Sequence, residues 1–205
     1  MKRVVIVLLA LLVSVAAFAN DWSLAADKAT KSTVYIENAE GSCTGFVINS
    51  TAKKTPEYTF SYVLTAAHCD GEKLFVDHVP ARIAYKDTQK DLMVLVVEDL
   101  GRPALKLASA NPKIGDQVAS YGYGFGLERA MFRTATIADD QTQIPDITGG
   151  PFIQTDSQFV PGQSGGPVVN AAGEVLLIVQ RGGSGVGIGV GAVTLRASVG
   201  RFFEK

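Results

Sequence analysis

The chain contains few of the residues from which metal centres are built. Its 205 residues include two histidines, two cysteines and one tryptophan. With two histidines and no His-Glu-x-x-His motif, a catalytic zinc site lacks support, and we expect neither a metal nor another cofactor. The formal net charge is −1, and no basic patch stands out along the chain. Nucleic acid is therefore not expected as a partner.

Long apolar runs are also scarce, and the one clear run is at the N-terminus. Lys2 and Arg3 precede an apolar stretch over residues 4–17, which is short for a membrane span. An A-x-A motif ends at Ala19. We expect residues 1–19 to be a secretory signal peptide, so that the mature chain is exported and keeps no stable membrane span. An uncleaved N-terminal anchor is the alternative.

The remaining sequence is divided into short apolar segments rich in Val, Ile, Tyr, Phe and Thr. Gly, Pro, Asn and Asp separate them, a pattern typical of strands and turns. The predicted strands are 32–37, 45–49, 58–65, 73–76, 81–85, 92–97, 117–121, 131–139, 152–156, 167–170, 174–180 and 186–193. Helical periodicity is weak except near residues 22–31 and 195–204. The glycine-rich stretch 182–191 lacks the strand–turn–helix context of a nucleotide loop and is interpreted as a β segment.

These segments predict an all-β protein of two six-stranded antiparallel β-barrels with a short C-terminal helix. We expect an N-terminal extension over residues 20–31, a first barrel over 32–105 and a second over 106–205. Glycine and proline residues interrupt the pattern near the boundary between the barrels. A cleft between the barrels is the expected place for a site.

Three short motifs provide candidate catalytic groups. Residues 161–167, PGQSGGP, place Ser164 in a glycine-rich turn whose successive N–H groups can point at one spot. The segment LTAAHC presents His68, and Asp91 opens the apolar run DLMVLVV. Together they supply a nucleophile, a base and an orienting carboxylate, in one of the chain orders known for such triads. A plain glycine-rich turn, and pairing of Asp91 with Lys90, are the structural alternatives.

These motifs resemble those of the chymotrypsin-like (trypsin-like) serine proteases, and most closely the bacterial HtrA/Deg branch. The resemblance runs from about residue 32 to 203, with the weaker passages ARIAY, PALKL, IGDQV, GFGL and QTD in the family's order. It implies that His68 is the general base, Asp91 its orienting acid and Ser164 the nucleophile. The N–H groups of Gly162 and Ser164 would form the oxyanion hole. No PDZ module fits after residue 205, so we expect that domain of the branch to be absent.

The same resemblance gives expectations for the substrate pocket. It places one wall at Gln158, Phe159, Val160 and Pro161, and a second wall at Val179 and Gln180. No acid lies at the expected base of this pocket, which disfavours a preference for Lys or Arg. Apolar walls would suit small or medium aliphatic side chains.

Two further features concern how the site is assembled. Cys43 and Cys69 are expected to form a disulfide in an oxidising compartment, as the resemblance also implies; two buried free thiols are the alternative. Gln163 replaces the acid that pairs with a new N-terminus in zymogen-type relatives, so no activating cleavage beyond signal removal is expected. The second histidine, His78, is interpreted as a surface residue.

The sequence therefore predicts an exported serine endopeptidase, periplasmic or secreted, acting on proteins or peptides through an acyl-enzyme. A non-catalytic peptide-binding protein or chaperone on the same fold is the main alternative. An α/β-hydrolase esterase also matches Gly-x-Ser-x-Gly, but no histidine follows Ser164 and helical segments are few. The extension 20–31, which contains Trp22, could support an oligomer or pack on its own barrel.

Overall fold

The structure, a computed structural model, describes residues 21–55, 58–98, 100–144 and 149–203. The predicted signal peptide lies outside these residues. The helices and strands are α1 (Ser23–Ser32), β1 (Thr33–Glu37), β2 (Ser42–Thr55), β3 (Tyr58–Thr65), β4 (Phe75–Val76), β5 (Val79–Asp87), β6 (Leu92–Glu98), β7 (Gln117–Tyr123), β8 (Ala130–Thr142), β9 (Phe152–Thr155), β10 (Pro167–Val169), β11 (Val175–Gly183), β12 (Val186–Gly191) and α2 (Ala192–Val199). Short 3₁₀ turns cover Ala67–Cys69 and Gly200–Phe202.

The strands form two closed antiparallel barrels, which confirms the predicted fold class. The first has the order β1-β2-β3-β6-β5-β4, and the second repeats it as β7-β8-β9-β12-β11-β10. Closure leaves neither sheet with an unpaired edge. The first barrel ends at Glu98 and the second begins at Gln117, so the connecting passage includes the predicted boundary region. Within the described residues, no helix is long and apolar enough to cross a membrane.

The apolar strands are buried on both faces because they separate two cores. In β6, Met93, Leu95 and Val97 belong to the core inside the first barrel. Leu92 and Val94 alternate with them and belong to a core shared by both barrels. Since side chains on a strand point alternately to opposite faces, an unbroken apolar run is what this position requires. The shared core fixes one barrel against the other.

Both helices pack onto the second half of the molecule. Ala25 and Ala29 of α1 are fully buried, and the Trp22 ring lies 6.3 Å from the Phe132 ring in an edge-on contact. The N-terminal extension therefore packs on its own chain. In α2, Leu195 and Val199 join the shared core. The C-terminal helix is confirmed, but it begins three residues before the predicted stretch, because β12 ends earlier than predicted.

The glycine-rich stretch is β structure, as the sequence predicted, and it lies on a β-hairpin. Ser184 and Gly185 form the two-residue loop between β11 and β12, and both have positive φ angles of 51° and 85°. A two-residue hairpin loop of this hand requires positive φ at both positions. On its other side, β11 pairs with β10, which immediately follows the Ser164 turn.

Candidate active site

His68 and Asp91 meet at one end of the first barrel. His68 lies in the 3₁₀ turn after β3, and its Nδ1 is 2.7 Å from Asp91 Oδ2. The backbone N–H of His68 donates to the other carboxylate oxygen, Oδ1, at 2.8 Å. An ionised carboxylate only accepts hydrogen bonds, so the Nδ1 atom of a neutral His68 carries the proton. Its Nε2 atom is then free to act as an acceptor.

The turn that presents Asp91 is tied to the turn that presents His68. Asp91 has a φ of +54°, a left-handed conformation that aspartate tolerates better than most residues. Its carbonyl oxygen accepts a hydrogen bond from the N–H of Ala67 at 3.1 Å. Asp91 is 8% exposed, while the His68 side chain is 44% exposed. The acid is thus enclosed, while the imidazole is open to solvent.

Ser164 follows a tight turn in the second barrel. Gln163 donates its N–H to Val160 O at 3.0 Å, with Pro161 and Gly162 at the two central positions. Gly162 has a φ of +93°, which matches a type II turn with proline first and glycine second. The buried Gln163 side chain closes the same turn, since its Oε1 accepts from the Val160 N–H at 2.9 Å.

The peptide between Pro161 and Gly162 is held in one orientation by a neighbouring loop. The Pro161 carbonyl accepts a hydrogen bond from the N–H of Phe125 at 2.8 Å. In a trans peptide the N–H and C=O point in opposite directions. The Gly162 N–H is therefore directed away from the Phe125 loop. The Ser164 hydroxyl donates to the carbonyl of Gln180 at 3.3 Å.

Thr44, which the sequence analysis missed, connects the first barrel to the serine loop. Its N–H donates to Ser164 O at 2.9 Å, and its Oγ1 donates to Gly162 O at 2.8 Å. The same Oγ1 accepts from the Tyr123 N–H at 2.9 Å. Thr44 is fully buried. Its only sequence signal was its position next to Cys43, because no local pattern marks a contact between residues 120 positions apart.

The predicted disulfide between Cys43 and Cys69 is present, with an S–S distance of 2.05 Å. It joins the residue before Thr44 to the residue after His68. Closing a loop of this length stabilises the fold by about 3 kcal/mol in the chain-entropy model. The two sulfurs and a His68 ring nitrogen lie within 4.8 Å of one another. Sulfurs in a disulfide are not thiolates, so this group is not a ready metal site.

The residues predicted for the substrate pocket have different environments. Gln158 and Pro161 are exposed and Val160 is partly buried. Phe159 and Val179 are 3% and 2% exposed and belong to the core of the second barrel. Gln180 is also buried and bonds to the first barrel. The pocket assignment stays a prediction, and the described contacts give Phe159 and Val179 a packing role. His78, interpreted as a surface residue, has an exposed side chain.

This chain is similar in sequence to known proteins over more than half of its length. A family model described as "Trypsin-like peptidase domain" matches residues 43–176. A "Probable periplasmic serine endoprotease DegP-like" of Pseudomonas putida (strain GB-1) is 33% identical over 140 residues, covering 64% of this chain and 27% of the relative. A protein with the same description from Hahella chejuensis is 31% identical over 148 residues, covering 68% and 29%. The chain therefore spans less than a third of the length of these relatives.

Solved structures share the fold. The serine endoprotease from Yersinia pestis superposes with a TM-score of 0.72 at 22% identity, covering 89% of this chain and 66% of that one. The Rv3671c protease from M. tuberculosis, in its active form, has a TM-score of 0.72 at 23% identity and coverages of 89% and 86%. At these identities the likeness concerns the arrangement of the two barrels.

Proposed function

The chain belongs to the trypsin-like peptidase domain family, and from that premise we propose that it is a serine endopeptidase acting on proteins or peptides. The observation that supports this most directly is the pair of hydrogen bonds from His68 to the two oxygens of Asp91. They leave Nε2 of the imidazole available as a general base, the role that a serine nucleophile on the glycine-rich turn would need. A protein that only bound peptides would not need an oriented base.

In the proposed reaction, Ser164 Oγ attacks the carbonyl carbon of the scissile peptide bond while His68 Nε2 takes its proton. The protonated imidazole then gives this proton to the leaving amine, and an acyl-enzyme remains on Ser164. Water, activated by the same nitrogen, releases the acyl group. Asp91 keeps the imidazole in the required tautomer and stabilises its charged form.

The negative oxygen of the tetrahedral intermediate would be bound by the N–H groups of Gly162 and Ser164. The type II turn and the Phe125 hydrogen bond support this role for Gly162, since they fix the direction of its amide. Losing one such donor typically costs about 2.7–4 kcal/mol in barrier height. In the structure, the Ser164 hydroxyl points at Gln180 O. A change of side-chain rotamer would redirect its proton to His68.

We place the protein outside the cytoplasm, in the periplasm. Both relatives compared above are described as periplasmic, and the N-terminal residues match a secretory signal. The disulfide between Cys43 and Cys69 agrees with an oxidising compartment. Because the chain covers under a third of these relatives, protein or peptide substrates are proposed from the site and not from the relatives' full activity.

The test combines a fluorophosphonate probe, which reports an activated serine, with cleavage of casein. The oxidised protein is compared with Ser164→Ala and with Ser109→Ala, a control serine that is exposed in the passage between the barrels. We expect labelling and cleavage in the wild type and Ser109→Ala, and neither in Ser164→Ala. Absence of labelling in the native wild type would refute the proposal and favour a peptide-binding protein. Labelling of Ser164→Ala equal to the wild type would also refute it.

A further inference from the structure

Gln180 occupies a β-bulge beside the serine turn. On β11, Val179 pairs with Gly189, but Arg181 pairs with the very next residue of β12, Ile188. Two steps along one strand therefore match one step along the other, and Gln180 is the extra residue. A bulge of this kind interrupts the ladder and turns a side chain in a new direction. Gln180 is thereby freed to make contacts outside its own sheet.

Both its backbone and its side chain reach residues of the candidate triad. The Gln180 carbonyl accepts the Ser164 hydroxyl at 3.3 Å. The side-chain Nε2 donates to the carbonyls of Lys90 and Asp91, the second at 3.3 Å. Gln180 is 2% exposed, so these bonds are shielded from water. An amide nitrogen of the second barrel thus donates to two neighbouring carbonyls in one turn of the first barrel.

The turn that accepts these hydrogen bonds has an unfavourable backbone conformation and needs support. Asp91 has a left-handed backbone, a conformation that is unfavourable for a non-glycine residue and persists only where the surroundings enforce it. Ala67 holds the Asp91 carbonyl from one side, and Gln180 holds it from the other. The Lys90 carbonyl is also bound by Gln180. Any shift of this turn would move the carboxylate that orients His68.

We propose that Gln180 is a positioning residue for the triad, which rests on the function proposed above. Its amide docks the Asp91 turn against the second barrel, and its carbonyl sets the resting direction of the Ser164 hydroxyl. One bulged residue thereby aligns the two barrels at the point where they contribute separate parts of the site. This role differs from the pocket wall expected from the sequence, because the side chain is engaged with the first barrel.

The test replaces Gln180 with methionine, which keeps the length of the side chain but has no N–H donors. Gln141→Met, an exposed glutamine on β8, is the matched control. Two readouts are compared: the rate of fluorophosphonate labelling, and the NMR signal of the His68 Nδ1 proton in protein labelled with ¹⁵N at histidine. The chain has only two histidines, so His78 provides an internal reference.

We expect Gln180→Met to shift or broaden the His68 signal while His78 stays unchanged. Labelling should slow on the order of 10²-fold, a loss that a misplacement of about 1 Å in a catalytic group can cause. Gln141→Met should match the wild type in both readouts. A Gln180→Met protein with the wild-type His68 signal and a labelling rate within twofold of wild type would overturn the proposal.

Two further comparisons test the role of Gln180 if Gln180→Met does not fold or if the wild type is not labelled. If Gln180→Met does not fold, Gln180→Glu retains the shape of the side chain. Its ionised carboxylate cannot donate to the Lys90 and Asp91 carbonyls, so the His68 signal should be lost at high pH. The protonated carboxyl has a single O–H donor, so the signal should recover in part as the pH falls. A pH-independent, wild-type signal would refute the role. If the wild type is not labelled at all, the proposed function fails, and the NMR comparison alone still decides the positioning role of Gln180.

Discussion

The carboxylate of Asp91 is bound twice by a single residue. One oxygen accepts the backbone N–H of His68 at 2.8 Å, and the other faces the ring Nδ1 atom at 2.7 Å. The first bond fixes where the histidine backbone lies, and the second fixes the plane and the tautomer of its ring. Both depend on an acid that only accepts hydrogen bonds. The two contacts therefore constrain the position and orientation of His68 more tightly than a simple ion pair would.

Asp91→Asn should abolish most activity while leaving the fold intact. An amide has one acceptor oxygen and one donor nitrogen, so it cannot accept from the His68 backbone and from the ring together. The ring would adopt the wrong tautomer, and we expect kcat to fall about 10⁴-fold, as for this substitution in other triads. Steady-state kinetics on a peptide substrate give the measurement.

Asp70→Asn is the control for that variant. Asp70 lies two residues after His68 and forms an ion pair with Lys86 at 2.6 Å. Surface pairs typically contribute about 0–1 kcal/mol to stability, and among the described hydrogen bonds none joins Asp70 to the imidazole. The activity of the Asp70→Asn variant should stay within a few-fold of wild type. Equal losses in Asp70→Asn and Asp91→Asn would mean that charge near the loop, and not the Asp91 geometry, controls the reaction.

Local sequence patterns were sufficient to predict the barrels and the motifs of the candidate site. Apolar runs such as the one after Asp91 mark strands buried on both faces, and the PGQSGGP turn has its proline and glycine at the positions a type II turn requires. Thr44 and Gln180 could not be predicted in their observed roles. Thr44 acts across 120 positions of sequence, and the role of Gln180 depends on a bulge that no residue preference announces.

Thr44→Val should loosen the serine loop without changing the size of the side chain. Valine cannot accept from the Tyr123 N–H or donate to the Gly162 carbonyl, so both groups would be left without these partners. Leaving a buried polar group unpaired costs about 1–3 kcal/mol. We expect a loss of stability in this range and slower probe labelling, because the turn that presents Gly162 is less fixed.

Thr44→Ser separates the hydroxyl from the methyl group. Serine retains the donor and acceptor, so labelling should remain close to wild type, with only a small loss of stability from the missing methyl. Urea unfolding and labelling rates on both variants provide the comparison. If Thr44→Ser slowed labelling as much as Thr44→Val, packing and not hydrogen bonding would be the contribution of this residue.

Gly165→Ala should be among the most damaging substitutions in the chain. Gly165 has a φ of +82°, and an alanine Cβ would overlap Thr44 O and Thr65 Oγ1. The left-handed backbone alone costs roughly 1–2 kcal/mol, and the overlap adds to it. We expect a destabilised protein that the probe labels poorly, measured by thermal unfolding and labelling on the same sample.

Gly115→Ala isolates the backbone part of that cost. Gly115 has a similar φ of +89°, but an added Cβ would meet no atom within 4 Å. Gly115→Ala should lose only the stability that the left-handed backbone costs an alanine, and its labelling should be unaffected. A Gly115→Ala variant as unstable as Gly165→Ala would show that the overlap with Thr44 contributes nothing.

His78 should make stability depend on pH, independently of the candidate triad. Its Nδ1 lies 3.1 Å from Glu37 Oε1, and Glu128 Oε2 lies 3.9 Å from Nε2. The hydrogen bond that the His78 ring donates to Glu37 raises the pKa of His78 above its usual value of 6.5, with smaller electrostatic contributions from Glu37, Glu128 and Asp77. The folded state therefore binds this proton more tightly than the unfolded chain.

The sign of the effect follows from that pKa. Stabilisation by protonated His78 is complete below the unfolded pKa of about 6.5 and is lost as pH rises through the higher folded value. The difference in unfolding free energy between wild type and His78→Gln should thus be larger at pH 5.5 than at pH 8.5. These two pH values lie about one unit below and two units above the unfolded pKa. The difference should also shrink in high salt, because the side chains are exposed. In an NMR titration, Glu37→Gln should lower the pKa of His78 more than Glu128→Gln does, since only the Glu37 contact is close enough for a hydrogen bond. An equal response of the His78 pKa to the two substitutions would contradict this account. An unfolding free-energy difference that does not change with pH would contradict it as well.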